Sequence, residues 1–136
     1  MKITVKKAKR SRIGTVDWDN LGFGDYFSDH MLSMDYSGGA WSAPRIIPYG
    51  RFSVLPALCS FHYGQLIFEG LKAYRRPDGL ALFRPRKNLE RLNRSAARLC
   101  IPPVDVDAVL EGLVKLVKLD QKWVPRKEGT SLYIRP

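Results

Sequence analysis

The sequence predicts an α+β fold, with two helices packed on a mostly antiparallel sheet. Three observations carry that prediction. Residues 71–75 and 80–84 are short strand-like runs joined by Arg76-Pro77-Asp78-Gly79, with Pro and Gly where a tight turn takes them. Pro85 follows, suited to the first turn of a helix, and Leu89, Leu92, Ala96 and Leu99 then recur along one face. Val106, Val109, Leu110, Leu113, Val114 and Val117 form a second apolar stripe before SLYIRP, residues 131–136, returns to the alternation of a strand.

In chain order, residues 1–16 are polar and basic. Ile3, Val5, Ile13 and Val16 are too sparse to fix a helix or strand, so this stretch reads as a partly ordered arm before a domain at 17–136. Residues 18–31 form a loop in which Gly22 and Gly24 bracket Phe23 and present it. Residues 30–36 alternate as a strand, and Ser37-Gly38-Gly39 suits a hairpin turn. Residues 41–55 read as extended pieces broken by Pro44 and Pro48, which belong at sheet edges or bends. The block 61–98 reads as strand, hairpin and helix, with 65–68 an apolar segment ending in Glu69-Gly70. Asp105 caps the second helix. Asp107 and Glu111 near its start and Lys115, Lys118 and Lys122 near its end suit the helix dipole.

Composition bounds the function classes. A chain of 136 residues with 45% hydrophobic content is expected to form one domain with a modest core. It contains no apolar run near the roughly 18 residues of a membrane span. Net charge is +10, but the cations that cluster are Lys2, Lys6, Lys7, Lys9, Arg10 and Arg12, without a nucleic-acid-binding motif beside them. A nucleic-acid partner is therefore not expected; a non-catalytic basic interaction module stays as the alternative reading. Cys59 and Cys100 lack a CxxC spacing and read as buried free thiols of a cytoplasmic protein. His30 and His62 have no cysteine pattern near them, so no zinc site is expected. The closing strand has nothing after it to complete a domain, which suggests a fragment or truncated product.

Several residues could carry chemistry. Arg91 lies on the polar side of its helix, where a guanidinium can take a phosphate, although a solvated surface arginine has the same spacing. Arg135, between Ile134 and Pro136, is costly in an apolar strand unless it meets an anion. Phe23, Tyr63, Phe68 and Tyr133 sit beside glycines or at strand ends and could line an apolar pocket or fill a core. Glu69 is a lone acid. No nucleophile elbow, Walker loop, GxGxxG or HExxH is present.

Four blocks together resemble a known family: LGFGDYFSDHM, FHYGQLIFEGLKAYR, LALFRPRKNLERLNRSAARLCIP and WVPRKEGTSLYIRP. They look like the N-terminal, smaller domain of branched-chain amino acid aminotransferases, pyridoxal-phosphate enzymes of fold type IV, in register over residues 17–136. The resemblance implies that Arg91 holds the phosphate of pyridoxal 5'-phosphate. It implies that Arg135, with Tyr133, receives the distal carboxylate of glutamate or 2-oxoglutarate. Phe23 and Phe68 would face the branched side chain of leucine, isoleucine or valine, and Tyr63 would reach the neighbouring subunit's site in a homodimer. It implies no catalytic residue in this chain, because the family's cofactor-bearing lysine lies in a second domain. Lys72, Lys115 and Lys118 do not match it. A relative acting on D-amino acids is the alternative within the class, and apolar surface left for the second domain is expected to be exposed.

Overall fold

The computed structural model describes residues 2–136. Its strands are β1 (Thr4–Val5), β2 (His30–Ser33), β3 (Tyr36–Ser37), β4 (Ala40–Trp41), β5 (Arg45–Pro48), β6 (Leu71–Arg76), β7 (Gly79–Leu82) and β8 (Leu132–Ile134). Its α-helices are α1 (Cys59–Tyr63), α2 (Pro85–Arg98) and α3 (Val106–Leu119). The strands form a sheet β1-β5-β2, a hairpin β3-β4 and a sheet β7-β6-β8. All pairs are antiparallel except β1 with β5. The α+β class holds, with the sheet divided into three small ones.

Local chemistry explains most of these elements. Ser37 pairs with Ala40, leaving Gly38 and Gly39 at φ 59° and 82°, the positive angles that a two-residue hairpin turn demands. Arg76 pairs with Gly79 across the Pro77-Asp78 corner. Pro85 opens α2, and Leu89, Leu92 and Ala96 are buried on its inner face. Leu99, the expected fourth member of that stripe, lies past the last helical turn and is exposed. The Asp105 carboxylate accepts from the backbone N–H of Asp107 (2.9 Å) and Ala108 (3.2 Å), capping α3.

Helix α3 is the centre of the core because it serves two layers. Leu113 and Val117 pack on Leu71 and Ala73 of β6 and on Val124, with Leu80, Leu82, Leu132 and Ile134 around them. Val109 packs on Leu89 and Leu92 of α2, with Leu32 and Met34 alongside. Each fully buried side chain of this kind contributes about 1.5–3 kcal/mol. Among the described residues, no helix is long and apolar enough to cross a membrane.

Residues 2–16, read from the sequence as a partly ordered arm with no helix or strand fixed, carry two short elements. β1 pairs Thr4 with Arg45 and Val5 with Ile46, and a 3₁₀ turn covers Ile13–Thr15. A buried polar network fixes the stretch between them. The Ala8 N–H donates to His30 Nε2 (2.8 Å), and His30 Nδ1, which then carries the proton, donates to Asp120 (2.6 Å). The Arg12 N–H donates to Asp29 (2.8 Å), whose other oxygen accepts from the Trp123 indole (3.0 Å). Burial raises the Asp29 pKa, but its bonds to Ser11, Arg12 and Trp123 leave it below the ordinary carboxylate range.

Three further expectations are corrected. β5 is a central strand; Pro48 is tolerated there because β1 reaches only Arg45 and Ile46, so no ladder bond is required of Pro48 on that side. Residues 59–63 are helical rather than extended, closed by Gly64 in the left-handed region, and 65–68 form no strand. Both cysteines are free, as expected, but exposed rather than buried. Cys59 lies within surface that this chain does not cover: from Arg51 to Leu66 every residue but Ser60 is exposed.

Candidate functional site

The site forms where β6 and β8 run out together. Their register places Leu71 opposite Ile134, and the ladder continues through the Glu69 N–H donating to the Pro136 carbonyl (3.0 Å). Tyr133 lies over Gly70 so closely that a Cβ there would be 2.9 Å from its hydroxyl, which is why the position takes no side chain. The Phe23 ring, delivered by its glycine-flanked loop, stands 5.3 Å from Tyr133. The Arg135 guanidinium lies 5.3 Å from the rings of both Phe68 and Tyr133. Phe23, Tyr133 and Arg135 line the wall of a cavity of about 540 Å³ that extends to α3 and Trp123. Arg135 follows β8 and is exposed, so the expected burial penalty does not arise.

Arg91 approaches the same place from α2. Its Nε and Nη2 donate to the two carboxylate oxygens of Glu69, at 2.6 and 2.5 Å. Glu69 is only 5% exposed, and it also accepts from the Gly70 N–H (2.7 Å). Asn88 Nδ2 donates to the Gly70 carbonyl (3.0 Å) and holds the turn from the other side. The Arg91 bonds, helped by Gly70 and Asn88 and opposed by burial, lower the Glu69 pKa to about 2; the same pairing raises that of Arg91. The pairing uses one edge of the guanidinium. The outer edge, with Nη1, remains available on a side chain that is 59% exposed.

Four of the six residues singled out in the sequence therefore meet: Phe23, Phe68, Tyr133 and Arg135. Arg91 stands beside them, joined through Glu69. Tyr63 does not join the cluster; it is 84% exposed in α1, with His62 its aromatic neighbour. Glu69 was read as a lone acid, and its partner lies 22 residues away. No group of three or more metal-ligating side chains occurs among the described residues.

No family model matches the chain. Curated relatives do. A branched-chain-amino-acid transaminase 1 and a branched-chain-amino-acid aminotransferase 2 of Bacillus subtilis are 55% and 57% identical over 122 residues, covering 88% of this chain. The mitochondrial branched-chain-amino-acid aminotransferase of Saccharomyces cerevisiae is 46% identical over 120 residues. The chain is homologous to branched-chain aminotransferases. It spans about a third of the length of those relatives, 34% of each Bacillus protein and 30% of the yeast one. The α+β architecture, small and with antiparallel sheets, is in keeping with the smaller domain of a branched-chain aminotransferase.

Proposed function

We propose that this chain is the N-terminal part, with its domain at 17–136, of a cytoplasmic, homodimeric branched-chain aminotransferase. The reaction would move the amino group of leucine, isoleucine or valine to 2-oxoglutarate, giving the branched 2-oxo acid and glutamate. One observation carries the reading: Arg91 is braced by the buried carboxylate of Glu69, and the preceding residue, Phe68, lies with Tyr133 against a second arginine, Arg135. That pair of cations suits a phosphorylated cofactor on one side and a carboxylated substrate on the other.

Pyridoxal 5'-phosphate fits the residues present. Glu69 fixes the Arg91 guanidinium by one edge, and the free edge is the kind of planar donor that binds a phosphate through paired N–H groups. When bound, the cofactor supplies the electron sink that loosens the substrate's α-hydrogen. The chain's own residues then sort two unlike side chains. Phe23 and Phe68 offer apolar surface to a branched aliphatic group. Arg135, supported by Tyr133, meets the distal carboxylate of glutamate or 2-oxoglutarate. Discrimination among leucine, isoleucine and valine in such a pocket is expected to be modest, since one methylene is worth about 1–3 kcal/mol. No lysine of this chain is assigned to carry the cofactor.

Exposed apolar residues support the dimer. Phe52, Leu55, Phe61, Tyr63 and Leu66 are each at least two-thirds exposed in one stretch of chain, with Tyr63 free to reach a neighbouring subunit. The two exposed thiols suit a reducing cytoplasm.

The test uses the full-length gene product. Leucine-dependent glutamate formation from 2-oxoglutarate is expected, and its absence sinks the reading. In the same protein Arg91→Ala should weaken retention of pyridoxal phosphate about tenfold or more, read by dialysis and absorbance. Unchanged retention removes Arg91 from the phosphate role.

A further inference from the structure

The basic arm takes no part in the site above, yet it is built into the fold. Past β1, the Lys6 N–H donates to the Ile46 carbonyl (2.8 Å), and the Ala8 N–H to His30 Nε2 (2.8 Å). The Arg12 N–H then donates to Asp29 (2.8 Å), and its guanidinium donates to the Ser28 carbonyl (2.6 Å). These anchors leave the segment between them arched over Pro48 and Tyr49. Beneath the arch is a cavity of about 390 Å³.

Five cations line that cavity, Lys6, Lys7, Lys9, Arg10 and Arg12, against one carboxylate, Asp29. Among the described residues none of the five forms an ion pair. Asp29 offsets only one of these charges, and its two oxygens are already bonded to the Arg12 N–H and the Trp123 indole, so a net excess of positive charge remains. An excess of unpaired positive charge around a concave surface raises the local concentration of anions. The anchored backbone lowers the ordering cost of binding one.

We propose that the arch binds a compact oligophosphate: inorganic tripolyphosphate or the triphosphate of a nucleotide. Three lysines and two arginines clustered on one anchored segment beside a small cavity match a ligand that concentrates several negative charges in a short chain. The aromatic ring at the cavity, Tyr49, is already stacked on Phe27 at 4.9 Å and covered by Arg12 at 5.1 Å, so it offers little platform for a nucleobase. A small anion therefore fits better than a polynucleotide.

The test is calorimetric titration of the 136-residue chain. Tripolyphosphate should bind at least about tenfold more tightly than inorganic phosphate, and raising salt from about 50 to 200 mM should weaken it. ATP binding as tightly as tripolyphosphate places recognition in the phosphates; tighter ATP binding identifies the nucleotide as the source. The triple variant Lys7→Gln, Lys9→Gln, Arg10→Gln removes no anchoring side-chain bond and should lose about tenfold or more in affinity. Amide shifts in the unaltered chain should concentrate at residues 6–12 and 48–49 on adding tripolyphosphate. Equal binding of mono- and tripolyphosphate, full affinity in the triple variant, or shifts elsewhere would overturn the proposal. So would a single-stranded oligonucleotide that binds more tightly than tripolyphosphate.

Discussion

Residues 106–124 and residues 51–68 are both rich in large apolar side chains, and they meet opposite surroundings. In the first stretch Val109, Leu113, Val117, Trp123 and Val124 are buried. In the second Phe52, Val54, Leu55, Leu58, Phe61, Leu66 and Phe68 are exposed. Hydrophobicity alone does not separate them. The first repeats its apolar residues at helical spacing and finds β6 on one side and α2 on the other. The second carries Pro56 and Gly64, supports only the short α1, and places only Ile67 against the core, beside the α2–α3 cluster. An apolar run becomes core only when its period matches a partner within reach.

The largest expected effect lies on the buried side. Leu113→Ala would open a cavity where α3 meets β6, and should destabilise the chain by about 2–5 kcal/mol in urea denaturation. A loss under about 1 kcal/mol would mean that α3 is not the shared centre of the two clusters.

Acid should act next, through Glu69. Its pKa in the fold is about 2 against an ordinary 4.5, so the unfolded chain binds the proton more readily. The stabilisation is therefore complete above about pH 4.5 and is lost as pH falls toward 2. Discounting for the solvent around Arg91, it amounts to about 1–3 kcal/mol. Glu69→Gln should remove this part of the acid dependence and lower stability at neutral pH by a similar amount. An unaltered slope between pH 4.5 and 2 in that variant would assign the acid transition to other carboxylates.

The same contrast governs what could be read in advance. The two hairpins, the Pro85 helix start, the Asp105 cap and both helical stripes were legible because each is set by residues a few positions apart. β1 was not. It has only two residues, and it is held by pairing with Arg45 and Ile46. His30 and Asp120 are 90 residues apart, so no spacing rule could join them. In the site, the residues of the short β8 region and its neighbours were legible as types, and the fold supplied their meeting. Glu69 was the residue misread. A carboxylate flanked by Phe68 and Gly70 at the edge of an apolar run needs a cation, but sequence alone could not choose Arg91 over Arg94 or Arg98.

The smallest effect on stability, and the sharpest check of the comparison, belongs to the exposed stretch. Phe52, Leu55 and Phe61 are 67%, 79% and 67% exposed, so cutting them back removes little packing within the chain. Phe52→Ser, Leu55→Ser and Phe61→Ser should each change unfolding stability by no more than about 0.5 kcal/mol. Their effect should appear in association instead. If this surface seats a second copy, the combined variant will shift the full-length protein toward monomer in gel filtration at micromolar concentration, while its urea midpoint measured as monomer stays in place. A destabilised monomer would mean that residues 51–66 pack against their own chain. An unshifted dimer would mean that subunits meet elsewhere, and Tyr63 would lose its proposed reach across the interface.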